Sequence, residues 1–253
     1  VKVQNYAIFA RQAIGYHVAI MSDYLARLSQ LSTPHLADAC LSTGTPLRCG
    51  PAQLKPLAPG ATCCGRVFPV RHVGSVDVFL EALENAQSGD VLVVDNGGRV
   101  DEACVGDLIA MEVQNAGVRG IVIWGLHRDS TQLLRIGLPL FSMGAIPVGP
   151  QRLDPLSPDC MYWARVGAWV VTAADYVACD DDGVIFLPGA RLPEIIAAAA
   201  DIAEKERCHA ERMRAGVSFR DQTRFPEYLA MRERHPSLTF REYLKKVAST
   251  IEK

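Results

Sequence analysis

An α/β fold with a helical C-terminal appendage is what this sequence predicts, and three observations carry that prediction. Two short apolar runs, Val91-Leu-Val-Val-Asp95 and Gly120-Ile-Val-Ile-Trp124, flank a helix-like stretch from about Gly106 to Ala116. Such alternation is the pattern of a right-handed crossover between parallel strands buried on both faces. A later β-rich part surrounds Asp180-Asp-Asp-Gly183, and from Leu192 onward the pattern is helical.

Taken in order, Tyr24–Cys40 reads as helical, with Ser32 or Thr33 ahead of Pro34 as the start signal for Pro34–Leu41. Gly and Pro make a loop of Gly44–Gly60, and Arg66–Val73 alternates loosely as a strand. Ser75–Ala86 has a helical apolar face, and Ser88-Gly-Asp90 is a turn before the first buried run. Asn96-Gly-Gly98 is a loop, Gly117 closes the central helix, and Leu138–Ser142 is a third short strand. Val166–Thr172, Tyr176–Cys179 and Val184–Leu187 read as strands, the last two joined by a hairpin turn at Asp180–Gly183. Pro193 opens the C-terminal helix and Gly216 interrupts it. The expected organisation is a helical leader over residues 1–30, an α/β core over 31–190 and a helical extension over 191–253.

Composition narrows the class. Hydrophobic residues at 49% and charged residues at 21% of 253 suit a globular chain that fills its own core. A net charge of −2 argues against a nucleic-acid partner. No apolar run is long enough for a membrane helix, and Val1–Ile20 is interrupted by Lys2, Arg11 and His17, unlike a signal peptide. The eight cysteines have no C-x-x-C pair and several sit among apolar residues, as small buried hydrophobes in a reducing cytoplasm do.

The chemistry concentrates in Gly117-Val-Arg-Gly-Ile-Val-Ile-Trp-Gly-Leu-His-Arg-Asp129. A strand ending at Trp124 delivers Arg128 and Asp129 to its carboxyl end, where open α/β sheets place ligands. Asp suits a hard cation and Arg an oxyanion; in a loop the same pair is also a common structural contact. His127-Arg-Asp129 mimics a kinase catalytic loop, but position 134 is Leu where that pattern needs Asn. Gly106-Asp107 at a helix start has two readings: a favourable charge on the helix dipole, or a binding site whose free N–H groups meet a substrate carboxylate. The Asp180–Asp182 run lacks EF-hand spacing. Lys is absent between Lys55 and Lys205, which disfavours a Schiff-base enzyme and favours a metal for carbonyl chemistry.

In this order the segments resemble the RraA-like family, which includes 4-hydroxy-4-methyl-2-oxoglutarate and 4-carboxy-4-hydroxy-2-oxoadipate aldolases. The resemblance runs from Leu31-Ser-Thr-Pro-His-Leu-Ala-Asp38 through Ser88–Asp95, Gly106-Asp107, Gly117–Ile123, Gly125-x-x-Arg128-Asp129 and Leu138-Pro-Leu-Phe141 to Asp180–Pro188. It implies a swivelling ββα sandwich core and metal-dependent, class II-type cleavage of 4-hydroxy-2-oxo di- and tricarboxylic acids to pyruvate, with oxaloacetate decarboxylation alongside. It also implies Mg²⁺ or Mn²⁺ on Asp129, metal-bound water on Asp107, Arg128 on the pyruvyl oxygen, and Gly106 with the N–H groups of Leu108 and Ile109 around the carboxylate. A C-terminal Glu of a neighbouring subunit, Glu204 or else Glu206, would complete the metal's outer shell in a homotrimer or homohexamer. Trp124-Gly125 stands where the family commonly has Asp-Gly, which bears on the shape of the pocket. Some family members are instead non-catalytic, protein-binding regulators of ribonuclease activity, the alternative function.

Overall fold

Alternation in β3 (Val91–Asp95) explains the layering that surrounds it. Leu92 and Val94 point into one apolar cluster, and Val91 and Val93 into another on the opposite face. Burying both faces of one strand is what a continuous apolar run is for. The computed structural model describes residues 23–251. Of the expected N-terminal leader, residues 1–22 lie outside the described residues, while 23–28 are helical.

The chain begins its core with α1 (Thr33–Thr43), capped by Ser32, whose side chain accepts from the N–H of His35. Asp180 fastens the start of this helix, accepting from the Thr33 N–H at 2.7 Å and the Thr33 hydroxyl at 2.6 Å. There follow β1 (Lys55–Pro56), β2 (Cys63–Arg71), α2 (Asp77–Leu83), β3, β4 (Ala103–Val105), α3 (Asp107–Asn115), β5 (Ile121–Trp124) and β6 (Leu126–His127). Next come α4 (Ser130–Ile136), β7 (Leu140–Ser142), β8 (Trp163–Val166), β9 (Trp169–Thr172), β10 (Asp175–Asp180) and β11 (Gly183–Pro188).

Seven strands form one mixed sheet in the order β1-β7-β5-β3-β2-β10-β11. Its centre, β2, β3, β5 and β7, is parallel, and β1, β10 and β11 add antiparallel edges. On one face Phe68, Leu92 and Ile121 pack with Phe79 of α2 and Ile109 and Val113 of α3. On the other, Val67, Val93 and Phe141 pack with Ala164, Val166 and Val171 of the β8–β9 hairpin. Helices on one face and a β layer on the other make a layered α/β sandwich core.

Two sequence expectations need correction. Val166–Thr172 is not one strand: β8 and β9 pair antiparallel with Val166 opposite Trp169. Gly167, at φ +60°, takes the first position of that two-residue loop, where a positive φ favours glycine. The stretch after Asp129, given no element in the sequence, is the helix α4. The eight cysteines are free thiols and six are buried; burial lifts the Cys64 thiol to about 11.

The chain divides into two compact units, Val1–Ala200 and Asp201–Lys253. The helix α5 (Leu192–Arg214) runs from the first into the second. Within the second unit, α6 (Phe219–Gln222) is followed by α7 (Phe225–Arg234) and α8 (Phe240–Ile251), which gather Phe225, Tyr228, Phe240 and Tyr243 into an aromatic cluster. Thr239 and Glu242 cap α8 reciprocally, each side chain accepting the other's backbone N–H at 3.3 and 2.9 Å. No helix among the described residues is long and apolar enough to cross a membrane.

Candidate active site

Two very short strands bring the two candidate motifs together. β4 and β6 pair in parallel, Ala103 opposite Leu126 and Val105 opposite His127, and the Arg128 N–H donates to the Val105 carbonyl at 3.0 Å. The residues just beyond these strands, Gly106-Asp107 and Arg128-Asp129, therefore meet in space. Gly106 is required at that meeting: a Cβ there would lie 2.4 Å from Asp129 Oδ2 and 3.2 Å from Arg128 Nε.

Asp129 is held in an unusual backbone state. It is the N-cap of α4 at φ 61°, ψ 36°, and its carboxylate caps no N–H of its own helix. Left-handed geometry costs a non-glycine residue of order 1 kcal/mol, and Asp is among the few that tolerate it. The gain is direction: Oδ2 faces the start of α3, accepting from the Asp107 N–H at 3.4 Å and lying 3.4 Å from Arg128 Nε. Neither side chain is sealed in, Arg128 being 48% and Asp129 35% exposed.

Asp107 opens α3, where a carboxylate also complements the helix dipole. Its Oδ1 accepts the Leu108 N–H at 2.8 Å. That N–H meets an incoming carboxylate only when Asp107 yields it. The Leu108 side chain is exposed, whereas the Ile109 side chain turns into the core.

His127, buried beneath the motif, steadies it. One ring nitrogen lies 2.7 Å from the Ser142 hydroxyl and the other 3.0 Å from the Ser130 hydroxyl. Burial pushes its pKa down, so the ring is neutral at neutral pH. Sequence reading gave His127, Ser130 and Ser142 no role. Their positions on β6, α4 and β7 carry no local motif, and only the fold joins them.

Gly106, Asp107 and Arg128 line a pocket of about 420 Å³ together with Leu80, Leu108 and Met111, whereas Asp129 lies beside it and is not among its lining residues. Trp124, expected to bear on the pocket's shape, does not line it. Its indole lies against Gly98, where an added Cβ would come within 2.7 Å of the ring. Glu204 and Glu206 belong to the second unit. There Glu204 pairs with Arg207 at 2.6 Å, which holds its carboxyl below the usual range. Among the described residues no group of three or more His, Cys, Asp and Glu converges as a ready cage for a metal ion.

Comparison with known proteins agrees with the architecture. A family model described as RraA-like, aldolase/RraA, matches residues 33–186. A Shewanella oneidensis protein named "Putative 4-hydroxy-4-methyl-2-oxoglutarate aldolase" is 38% identical over 128 residues, covering 48% of this chain and 77% of that one. A crystal structure of an uncharacterized protein from Pseudomonas syringae pv. tomato superposes with a TM-score of 0.67 at 25% identity, covering 78% of this chain and 94% of that one. Streptomyces coelicolor RraAS2, described as an unusual member of the RNase ES inhibitor RraA protein family, superposes at 0.65 with 26% identity, covering 73% and 94%.

Proposed function

This chain belongs to the RraA-like family, and on that premise we propose that it is a pyruvate-releasing carbon–carbon lyase acting on 4-hydroxy-2-oxo acids. The observation that carries the reading is the convergence of Asp107, Arg128 and Asp129 across a glycine where a Cβ would crowd the Asp129 carboxylate, with Asp107 and Arg128 lining a pocket.

The donor set fits a hard divalent cation, Mg²⁺ or Mn²⁺. Asp129 offers a partly exposed carboxylate, with Asp107 adjacent. Mg²⁺ characteristically takes one or two carboxylates and completes its shell with water and substrate, so a full protein cage is not needed. When bound, such an ion supplies Lewis-acid polarisation of the 2-oxo acid. By resemblance, Glu204 of a neighbouring subunit adds to its outer shell in a trimer or hexamer.

The protein's own part is electrostatic positioning. Arg128 presents its guanidinium to the 2-oxo oxygen, where negative charge grows as the C3–C4 bond breaks. The C4 hydroxyl loses its proton to a water held by the Asp107 carboxylate, and the C4 half leaves as a carbonyl compound. The bonding pair passes into the pyruvate enolate, and a proton returned to C3 gives pyruvate. Decarboxylation of oxaloacetate reaches the same enolate and is the expected accompanying activity.

The test is pyruvate release from 4-hydroxy-2-oxo acids and from oxaloacetate, with Mg²⁺ and with a chelator. Turnover that the chelator abolishes supports the reading, and no turnover of any substrate refutes it. The likeness to RraAS2 favours a second reading, a protein-binding regulator of ribonuclease activity. It predicts inhibition of an RNase E-type nuclease that survives Asp129→Ala.

A further inference from the structure

The Arg128 side chain runs along a path bordered by two glycines from different segments. At Gly106, between β4 and α3, an added Cβ would lie 3.3 Å from Arg128 Cγ and 3.2 Å from its Nε. At Gly149, on the connection from β7 to β8, an added Cβ would lie 2.8 Å from Arg128 Nη1. The first glycine clears the stem of the side chain and the second clears its tip. Gly106, Arg128 and Pro150, which follows Gly149, line the same pocket. Glycine is ordinarily explained by backbone conformation, and neither position needs it on that ground. Gly106 has φ −128°, and Gly149 has no positive φ. Gly149 also precedes a proline, where any residue is steered to extended backbone.

The backbone around Gly149 is pinned on both sides. The Val148 carbonyl accepts the Ala103 N–H at 2.8 Å, and the Gln151 N–H donates to Glu102 Oε2 at 3.0 Å. Arg152 Nε holds the other Glu102 oxygen at 3.0 Å, and the Asp154 N–H donates to the Val73 carbonyl at 2.8 Å. A methyl at position 149 would therefore rise from a fixed backbone and meet the tip of a long, half-exposed side chain. The guanidinium gives way, and the fold does not.

We infer that Gly149 is a positioning residue for Arg128: its missing side chain lets Arg128 keep its guanidinium beside Asp129 and in the wall of the pocket. The contact lies within one chain and does not depend on a neighbouring subunit. Its kinetic consequence rests on the pyruvate-lyase reading. A donor aimed at developing charge loses its effect when it is misplaced by about 1 Å. Filling the space at Gly149 should therefore lower turnover through Arg128, with little cost to stability.

The experiment is a double-mutant cycle on the full chain with Mg²⁺: wild type, Gly149→Ala, Arg128→Lys and the two together. Lysine keeps the charge but has no forked tip for the new methyl to meet. Three quantities are measured: kcat and KM for pyruvate release from oxaloacetate, calorimetric binding of oxalate as a planar mimic of the enolate, and Tm. Gly149→Ala should lower kcat by about 10-fold or more, with KM changed by no more than about 2-fold. It should also weaken oxalate binding and leave Tm within about 2 °C of wild type. In the Arg128→Lys background the same substitution should cost less than about 2-fold in kcat and in oxalate affinity. No loss on Gly149→Ala, equal losses in both backgrounds, or a loss accompanied by a collapse in Tm overturns the inference while wild-type turnover keeps the lyase reading alive. Coupled oxalate binding without turnover of any 2-oxo acid removes the lyase reading and keeps the inference. A wild-type protein that neither binds oxalate nor releases pyruvate removes both.

Discussion

Two charged clusters flank the loop between β3 and α3, and they are built in opposite ways. Glu102 is fully buried. It accepts from Arg152 Nε at 3.0 Å and from the Gln151 N–H at 3.0 Å, and lies 3.3 Å from Arg99 Nε. Arg152 continues the network to the His72 carbonyl and the Asn96 side chain. Against the other end of the loop, Asp129 has one long bond from a backbone N–H, one loose ion pair and a side chain 35% exposed. Buried charge met by several donors holds a loop in place, while charge left with free valence and exposure is available to a ligand. The anchor, Glu102, thus lies a few residues before Gly106-Asp107, against which Asp129 is placed.

Loss of the anchor should be the larger stability event. Glu102→Ala removes the buried carboxylate from Arg152 and Arg99, leaving them their exposed partners Asp154 and Asp101, and should cost about 3 kcal/mol; urea unfolding measures it. Arg128→Ala should do the reverse, lowering kcat by about 10²–10³-fold, as loss of an oxyanion donor does. Its unfolding free energy should stay within about 0.5 kcal/mol of wild type. Gly106→Ala lies between the two. Gly106 has an ordinary extended φ of −128°, so the backbone tolerates alanine, but the new methyl displaces Asp129 and should cost about 100-fold in turnover.

The smallest effect is on pH dependence. His72 is buried within the anchor network, hydrogen-bonded to Asn96 at 3.0 Å and stacked on Phe79. Desolvation pushes its pKa below the ordinary 6.5. The folded state therefore binds this proton less readily than the unfolded state, so stability is complete above the ordinary value and declines as pH falls through it. Thermal unfolding between pH 7.5 and 5.5 should show a falling Tm, with a shallower slope in His72→Gln.

Much of the fold was readable because its core strands are short, apolar and doubly buried, as Val91–Asp95 and Ile121–Trp124 are. The hairpin at Asp180–Gly183 announced itself through its turn residues, and Asp180 ↔ Gly183 closes it. What escaped was structure defined by distant partners. β1 is two residues long and is fixed by pairing with β7, while β4 and β6 are defined by each other. α4 was missed because Asp129 starts it from a left-handed position without capping it, although Gly137 at φ 74° marked its end. At the proposed site, residue type and the family resemblance together singled out Arg128, Asp129 and Asp107. Their meeting across Gly106, and the clamp of His127 between Ser130 and Ser142, depend on the β4–β6 pairing and have no trace in local spacing.

Asp129 is left-handed at φ 61° and 35% exposed, a conformation that serves chemistry rather than folding if the proposed function holds. Asp129→Asn tests it most directly, because the substitution keeps shape and removes charge. Measured together, pyruvate release from oxaloacetate with Mg²⁺ should fall by about 100-fold or more, while Tm stays within about 2 °C of wild type. Unchanged turnover, or a loss of activity matched by a collapse in Tm, would rule out a catalytic role for Asp129.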